Sequence, residues 1–147
     1  MKDALSAAAM MGGAYFLFNA ANKPKAGAIK ALTQNWVDTV CTHNPQAVVD
    51  LYAPQGVLIG TVAKRIKIGR EQIKTYFDTF LQKPQLCGVI EEDHVQSFAG
   101  WAIHSGVYTF SWVEKEQPTS LAARFSFVWK HTPLGWKIEN HHSSAVP

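Results

Sequence analysis

The chain has 147 residues, 47% of them hydrophobic and 12% aromatic, with a formal net charge of +3. That length and apolar content suit one domain around one core and exclude a disordered chain. The 14 Lys and Arg are scattered except for Lys64, Arg65, Lys67 and Arg70, so no nucleic-acid partner is expected and the small cluster reads as a solvated patch. Cys41 and Cys87 are the only cysteines, and their spacing matches no metal or redox motif. Both are expected as small buried hydrophobes rather than bridge partners, and they leave the compartment unassigned.

The first stretch is the unusual one. Ala4 to Ala21 (ALSAAAMMGGAYFLFNAA) carries no charge, with Lys2 and Asp3 before it and Lys23 and Lys25 after it. It approaches the roughly 20 apolar residues a bilayer span needs, but Ser, Asn and Gly-Gly dilute it. Three readings stand open: a membrane segment, an export signal without a clean small-x-small cleavage site, or a helix packing on the domain or a partner. Contact with a membrane or a larger complex through residues 4–21 follows from two of them. Residues 1–26 are thus set apart as an apolar segment and hinge, NKPKAG marking the hinge, and 27–147 as the domain.

Beyond the hinge, Ile29, Leu32, Trp36, Val37 and Val40 recur at helical spacing, predicting an amphipathic helix over Ala28 to Thr42 with Trp36 in the core. Asn44 before Pro45 is a cap and first-turn pair that starts a second helix through Leu51, ended by Tyr52 to Pro54. Gly56 to Thr61 reads as a short strand, and Val62 to Ile68 as either a hairpin arm or a basic loop. Ile73, Phe77, Phe80 and Leu81 make the buried stripe of a helix from Arg70 to Leu81, stopped by Lys83 and Pro84. Cys87 to Val113 gives two long strands broken at Ala99 and Gly100. The row Glu91, Glu92, Asp93, His94 in the first of them reads as a solvent-facing edge. Glu114 to Thr119 is a polar turn.

The chain ends RFSFVWKHTPLGWKIENHHSSAVP. Phe125, Phe127 and Trp129 alternate with Arg124, Ser126 and Val128, and a turn at His131 to Gly135 leads to a second strand through Trp136 and Ile138. The Arg-aromatic-Ser-Phe-Val strand, the Gly-Trp-Lys-Ile start and the His-His-Ser-Ser-Ala-x-Pro end resemble the association domain of calcium/calmodulin-dependent protein kinase II. They are also similar to its bacterial SnoaL-like and SgcJ/EcaC-like relatives. The resemblance reaches back to about Gly27 and includes GREQIKTYFDTF. It implies the nuclear-transport-factor-2-like α+β fold, a cone-shaped curved antiparallel sheet packed on N-terminal helices, with a pocket between the two. It also implies a homo-oligomer, at least a dimer, but not one function, because that fold hosts isomerases, cyclases, dehydratases and assembly modules.

Candidate residues follow from chemistry. Arg124, flanked by apolar residues in a strand, is costly to bury unless a carboxylate pairs with it, so two readings stand: a structural salt bridge with Glu91, Glu92, Asp93 or Glu139, or the pocket's cationic anchor, with Asn140 and Ser126 as further ligand contacts. The ligand expected is a small carboxylate or carbonyl compound. His104, Tyr108 and His142 are the candidates for acid-base or oxyanion work, should there be turnover. His141 and His142 are adjacent on a strand, face opposite ways and cannot share a metal; neither a metal nor another cofactor is expected. Three functions are carried forward: an association and ligand-binding module; an isomerase, cyclase or dehydratase; and an accessory subunit docked through its N-terminus. The dimer contact is expected on the sheet surface bearing Trp101, Ile103, Phe125 or Trp129.

Overall fold

The structure, a computed structural model, describes residues 23–147; the apolar segment over residues 4–21 lies outside the described residues. Helix α1 (Ala26–Val40) buries Ile29, Thr33, Trp36, Val37 and Val40 along one side, as its spacing requires. Helix α2 (Pro45–Val49) begins as expected, with Asn44 Oδ1 accepting the Ala47 N–H at 3.2 Å and Pro45 in the first turn. Helix α3 (Gly69–Phe80) buries Ile73, Phe77 and Phe80.

One expectation fails between them. Tyr52 to Pro54 do not end a helix but open strand β1 (Tyr52–Ile59). The backbone is drawn there by the sheet: the Ile138 N–H donates to Leu51 O at 2.9 Å, and a paired strand satisfies backbone groups that a short helix end would leave open.

The remaining strands are β2 (Lys67–Ile68), β3 (Cys87–Phe98), β4 (Trp101–Glu114), β5 (Gln117–Thr132) and β6 (Gly135–Ala145). They form one six-stranded sheet in the order β2-β1-β6-β5-β4-β3, curved and unclosed over the helices. Every pairing is antiparallel except β1 with β6, which is parallel. The sheet is therefore mixed where an antiparallel one was expected. The β4–β5 turn is tighter than the sequence suggested: only Lys115 and Glu116 form it, both at positive φ (50° and 63°), as a two-residue hairpin requires.

Two bulges decide which side chains face the helices. On β6, Ile138 pairs with Trp129 and Asn140 with Val128, so Glu139 has no residue opposite it. On β3, Ile90 pairs with Tyr108 and Glu92 with Val107, leaving Glu91 unopposed. Gly106 makes the second bulge possible, since a Cβ there would lie 2.1 Å from Glu92 O. Each bulge reverses the in-out alternation of the residues after it.

Between the concave face and the helices lies an aromatic core centred on Trp36. Its ring meets Phe127 at 5.1 Å, Tyr108 at 6.0 Å, Phe110 at 6.1 Å and Phe77 at 6.3 Å between centroids. Such contacts make truncation of Trp36 worth about 3–5 kcal/mol.

Candidate functional site

Two polar chains run through this apolar interior. In the first, the Trp36 indole can only donate, and its Nε1–H donates to Tyr52 Oη at 3.2 Å. The Tyr52 hydroxyl proton then goes to His141 Nδ1 at 2.8 Å. That leaves the His141 proton on Nε2, where it donates to Tyr108 Oη at 3.1 Å. Tyr108 reaches on to Ser143, and the Ser143 hydroxyl pairs with that of Thr61. Burial holds the His141 pKa down to about 3, with His142 adding to the effect, so the ring is neutral near pH 7. The phenol pKa values of Tyr52 and Tyr108 are raised for the same reason, burial. His141 also lies flat on Phe127, 3.9 Å between ring centroids.

The second chain starts at Trp129, whose Nε1–H donates to Thr33 Oγ1 at 3.0 Å. Thr33 donates to His104 Nδ1 at 2.7 Å, and His104 Nε2–H donates to Asp93 Oδ2 at 2.8 Å. Lys30 closes the chain at 3.3 Å from Asp93 Oδ1. Asp93 is held below the usual carboxylate range, first by the His104 hydrogen bond and then by Lys30. Burial lowers His104 despite its carboxylate partner. Asp93 is thus partly turned inward by the β3 bulge rather than standing in an acidic edge row.

The hollow expected between sheet and helices is almost filled. A cavity of about 20 Å³ remains among Trp36, Tyr76, Phe80, Tyr108, Phe110 and His141, room for about one water. Among the described residues, no Asp or Glu lines it. Trp112 also borders it, and its buried Nε1–H has no acceptor among the described residues.

The six sequence-derived candidates divide between the two faces of the sheet. His104 and Tyr108 point inward and are buried, at 0% and 1% exposure. Arg124, Ser126, Asn140 and His142 stand on the opposite face: Arg124 and His142 are exposed, Ser126 and Asn140 half-buried. The expectation that Arg124 anchors the pocket is therefore corrected. Its neighbours Ala123 and Phe125 take the inner positions, so alternation puts Arg124 in solvent, where no buried carboxylate is needed. His142 is likewise displaced by the Glu139 bulge, which gives the inner place to His141. His141 is the functional-looking residue that sequence reasoning passed over.

A further correction concerns the cysteines. Cys41, the residue capping α1, and Cys87, the first of β3, form a disulfide with their Cα atoms 4.5 Å apart. Cys41 is half-buried and Cys87 exposed, so neither is the fully buried small hydrophobe expected. Among the described residues no group of His, Cys, Asp and Glu is arranged to hold a metal. No described helix is long and apolar enough to cross a membrane.

The model of the calcium/calmodulin dependent protein kinase II association domain matches residues 25–147. The chain belongs to that family. An association-domain structure from Xanthomonas campestris is 40% identical, covering 84% of this chain and 89% of its own, with a TM-score of 0.79. The S. rosetta CaMKII hub is 19% identical over 84% of this chain and 98% of its own, with a TM-score of 0.71. A ketosteroid isomerase-like protein from Erwinia carotovora atroseptica is 18% identical over 81% and 94%, with a TM-score of 0.68. The last two show the shared nuclear-transport-factor-2-like fold. No curated protein matches.

On this association-domain frame the helix-free face of the sheet is the more open of the two. One row across it runs Val57, Asn140, Val128, Ile103, and the next runs Ile59, His142, Ser126, Ser105, His94. The Ser105 and Ser126 hydroxyls lie 3.3 Å apart at its centre. Trp101 extends it at the edge, stacked on Phe98 at 4.2 Å. Phe125 and Trp129, expected on this surface, are instead buried under the helices.

Proposed function

We propose that this chain is a homo-oligomeric association module whose interior serves packing rather than turnover. The observation that carries the reading is the filled cone: a cavity of about 20 Å³ is too small for the organic ligands that pockets of 300–1,000 Å³ hold. Both ring nitrogens of His104 and of His141 already have protein partners, so neither is placed to exchange a proton with a substrate. Family membership and the likeness to the S. rosetta CaMKII hub support self-association.

The contact surface is the helix-free face of β4, β5 and β6. Small Ser105 and Ser126 at its centre allow close approach, Ile103, Val107 and Val128 supply apolar area, and Arg124, Asn140 and His142 form a polar border. In an isologous pair the same patch meets itself, which suits a surface mixing small, apolar and polar groups. The alternative reading, an isomerase, cyclase or dehydratase acting on a small carbonyl compound, has the likeness to the Erwinia protein behind it. It is the weaker one, because among the described residues no carboxylate lines the cavity. The accessory-subunit reading rests on residues 4–21, outside the described part. The Cys41–Cys87 bridge fits an oxidising compartment and so favours the export reading of that segment.

The test is Ile103→Asp with Val128→Asp, studied by light scattering coupled to gel filtration. The assembly is expected to fall apart into folded protomers, since two carboxylates would be forced into an apolar contact. Retention of the wild-type mass would remove this face from the proposal.

A further inference from the structure

A second concavity lies outside the cone, between the β1–β2 loop and the exposed side of α3. It encloses about 560 Å³, and Lys64, Arg65, Lys67 and Lys83 surround a floor formed by Tyr76 and Phe80. Among the described residues, none of those lining it is acidic. Four of the chain's 14 Lys and Arg gather here, more than the whole positive excess of +3.

The groove is held in shape. Gly60 lies flush against Tyr76, where a Cβ would come within 2.4 Å of the ring. The Tyr76 hydroxyl accepts the backbone N–H groups of Thr61 and Val62, and the Thr61 hydroxyl is tied to Ser143. Burial, offset in part by those N–H donors, raises the Tyr76 phenol to about 12, so it stays protonated. Across the groove, the Lys83 ammonium sits 4.5 Å from the centroid of the Trp112 ring. Like charges gathered around one hollow repel, and a bound anion would offset that repulsion. Solvated lysines on an open surface would have no such loop fixed beneath them.

We infer that this groove is a binding site for a small amphiphilic organic anion, a carboxylate, phosphate or sulfonate carried on a ring-sized apolar body. The cations take the charged group, and Phe80, Tyr76 and Val62 take the apolar part. The volume falls in the range of small-ligand sites, whereas the inner cavity does not. This inference stands apart from the association reading, since none of these residues belongs to the helix-free face.

The experiment is a fluorescence titration of the full chain with 8-anilinonaphthalene-1-sulfonate, an anion of that class. Wild type is expected to bind one probe per protomer, with affinity falling as salt rises. The triple variant Lys64→Gln, Arg65→Gln, Lys67→Gln is expected to bind about tenfold or more weakly. Thr79→Trp, which fills the groove without changing its charge, is expected to block the probe while leaving far-UV circular dichroism unchanged. Equal affinity in wild type and both variants would overturn the inference. So would displacement by inorganic phosphate at the probe's own affinity, which would mean that charge alone is recognised. Binding to phosphatidylglycerol vesicles without any binding of the free probe would also overturn it, in favour of a membrane surface.

Discussion

Tyr52 and His141, 89 residues apart in sequence, meet at 2.8 Å between Oη and Nδ1 in the middle of the core. Tyr52 opens β1 and His141 sits on β6, so this one hydrogen bond ties the parallel pair of strands together beneath Trp36. Tyr52→Phe keeps the ring and removes the donor. It leaves His141 Nδ1 and the Trp36 indole N–H buried without partners, and should cost about 1–3 kcal/mol in a denaturant melt. A cost under about 0.5 kcal/mol would show that the chain of donors is not what positions His141.

The same histidine sets a pH dependence. In the unfolded chain it takes a proton near its ordinary value of 6.5, whereas in the fold it does so only at about 3. Its contribution is therefore complete above 6.5 and is lost as pH falls from 6.5 towards 3. His104, also lowered by burial, adds with the same sign. Asp93 is lowered as well, so its share is present above its ordinary value of 3.8 and is lost only at more acid pH. Stability by chemical denaturation should decline by up to about 1.4 kcal/mol per pH unit below pH 6.5 on account of His141. A flat profile between pH 7 and about pH 5 would contradict the placement of both rings.

The disulfide should be a large contributor for a chain of this size. Closing a loop with a sequence separation of 46 is worth about 4 kcal/mol in the chain-entropy account. Reductant, or Cys41→Ser with Cys87→Ser, is expected to lower Tm by on the order of 10 °C. Thiol titration of the unreduced, unfolded chain should find no free thiol; two free thiols and an unchanged Tm would disprove the bridge.

Much of the frame was legible because apolar spacing carries it. Ile29 to Val40 and Ile73 to Phe80 announce helices, Asn44-Pro45 announces a cap, and Phe125, Phe127 and Trp129 announce a strand face. The site was less legible, because side-chain facing depends on bulges that leave no clear local signature. Counting by twos from buried Ile138 along β6 lands on Asn140 and His142, the residues expected inside. The extra Glu139 moves the count by one and brings in His141 and Ser143 instead. Arg124 differs for another reason: a charge among apolar residues suggests burial, but the period of its own strand places it outside. Cys41 and Cys87 sit at the ends of two elements, and only the packing of α1 beside β3 brings those ends together.

The proposed function stands or falls with self-association through the helix-free face of the sheet. Sedimentation equilibrium of the wild-type chain at micromolar concentration, with the disulfide intact, measures it most directly. The mass expected is at least twice the 16.3 kDa of one chain. A single species at the protomer mass over the whole concentration range would contradict it.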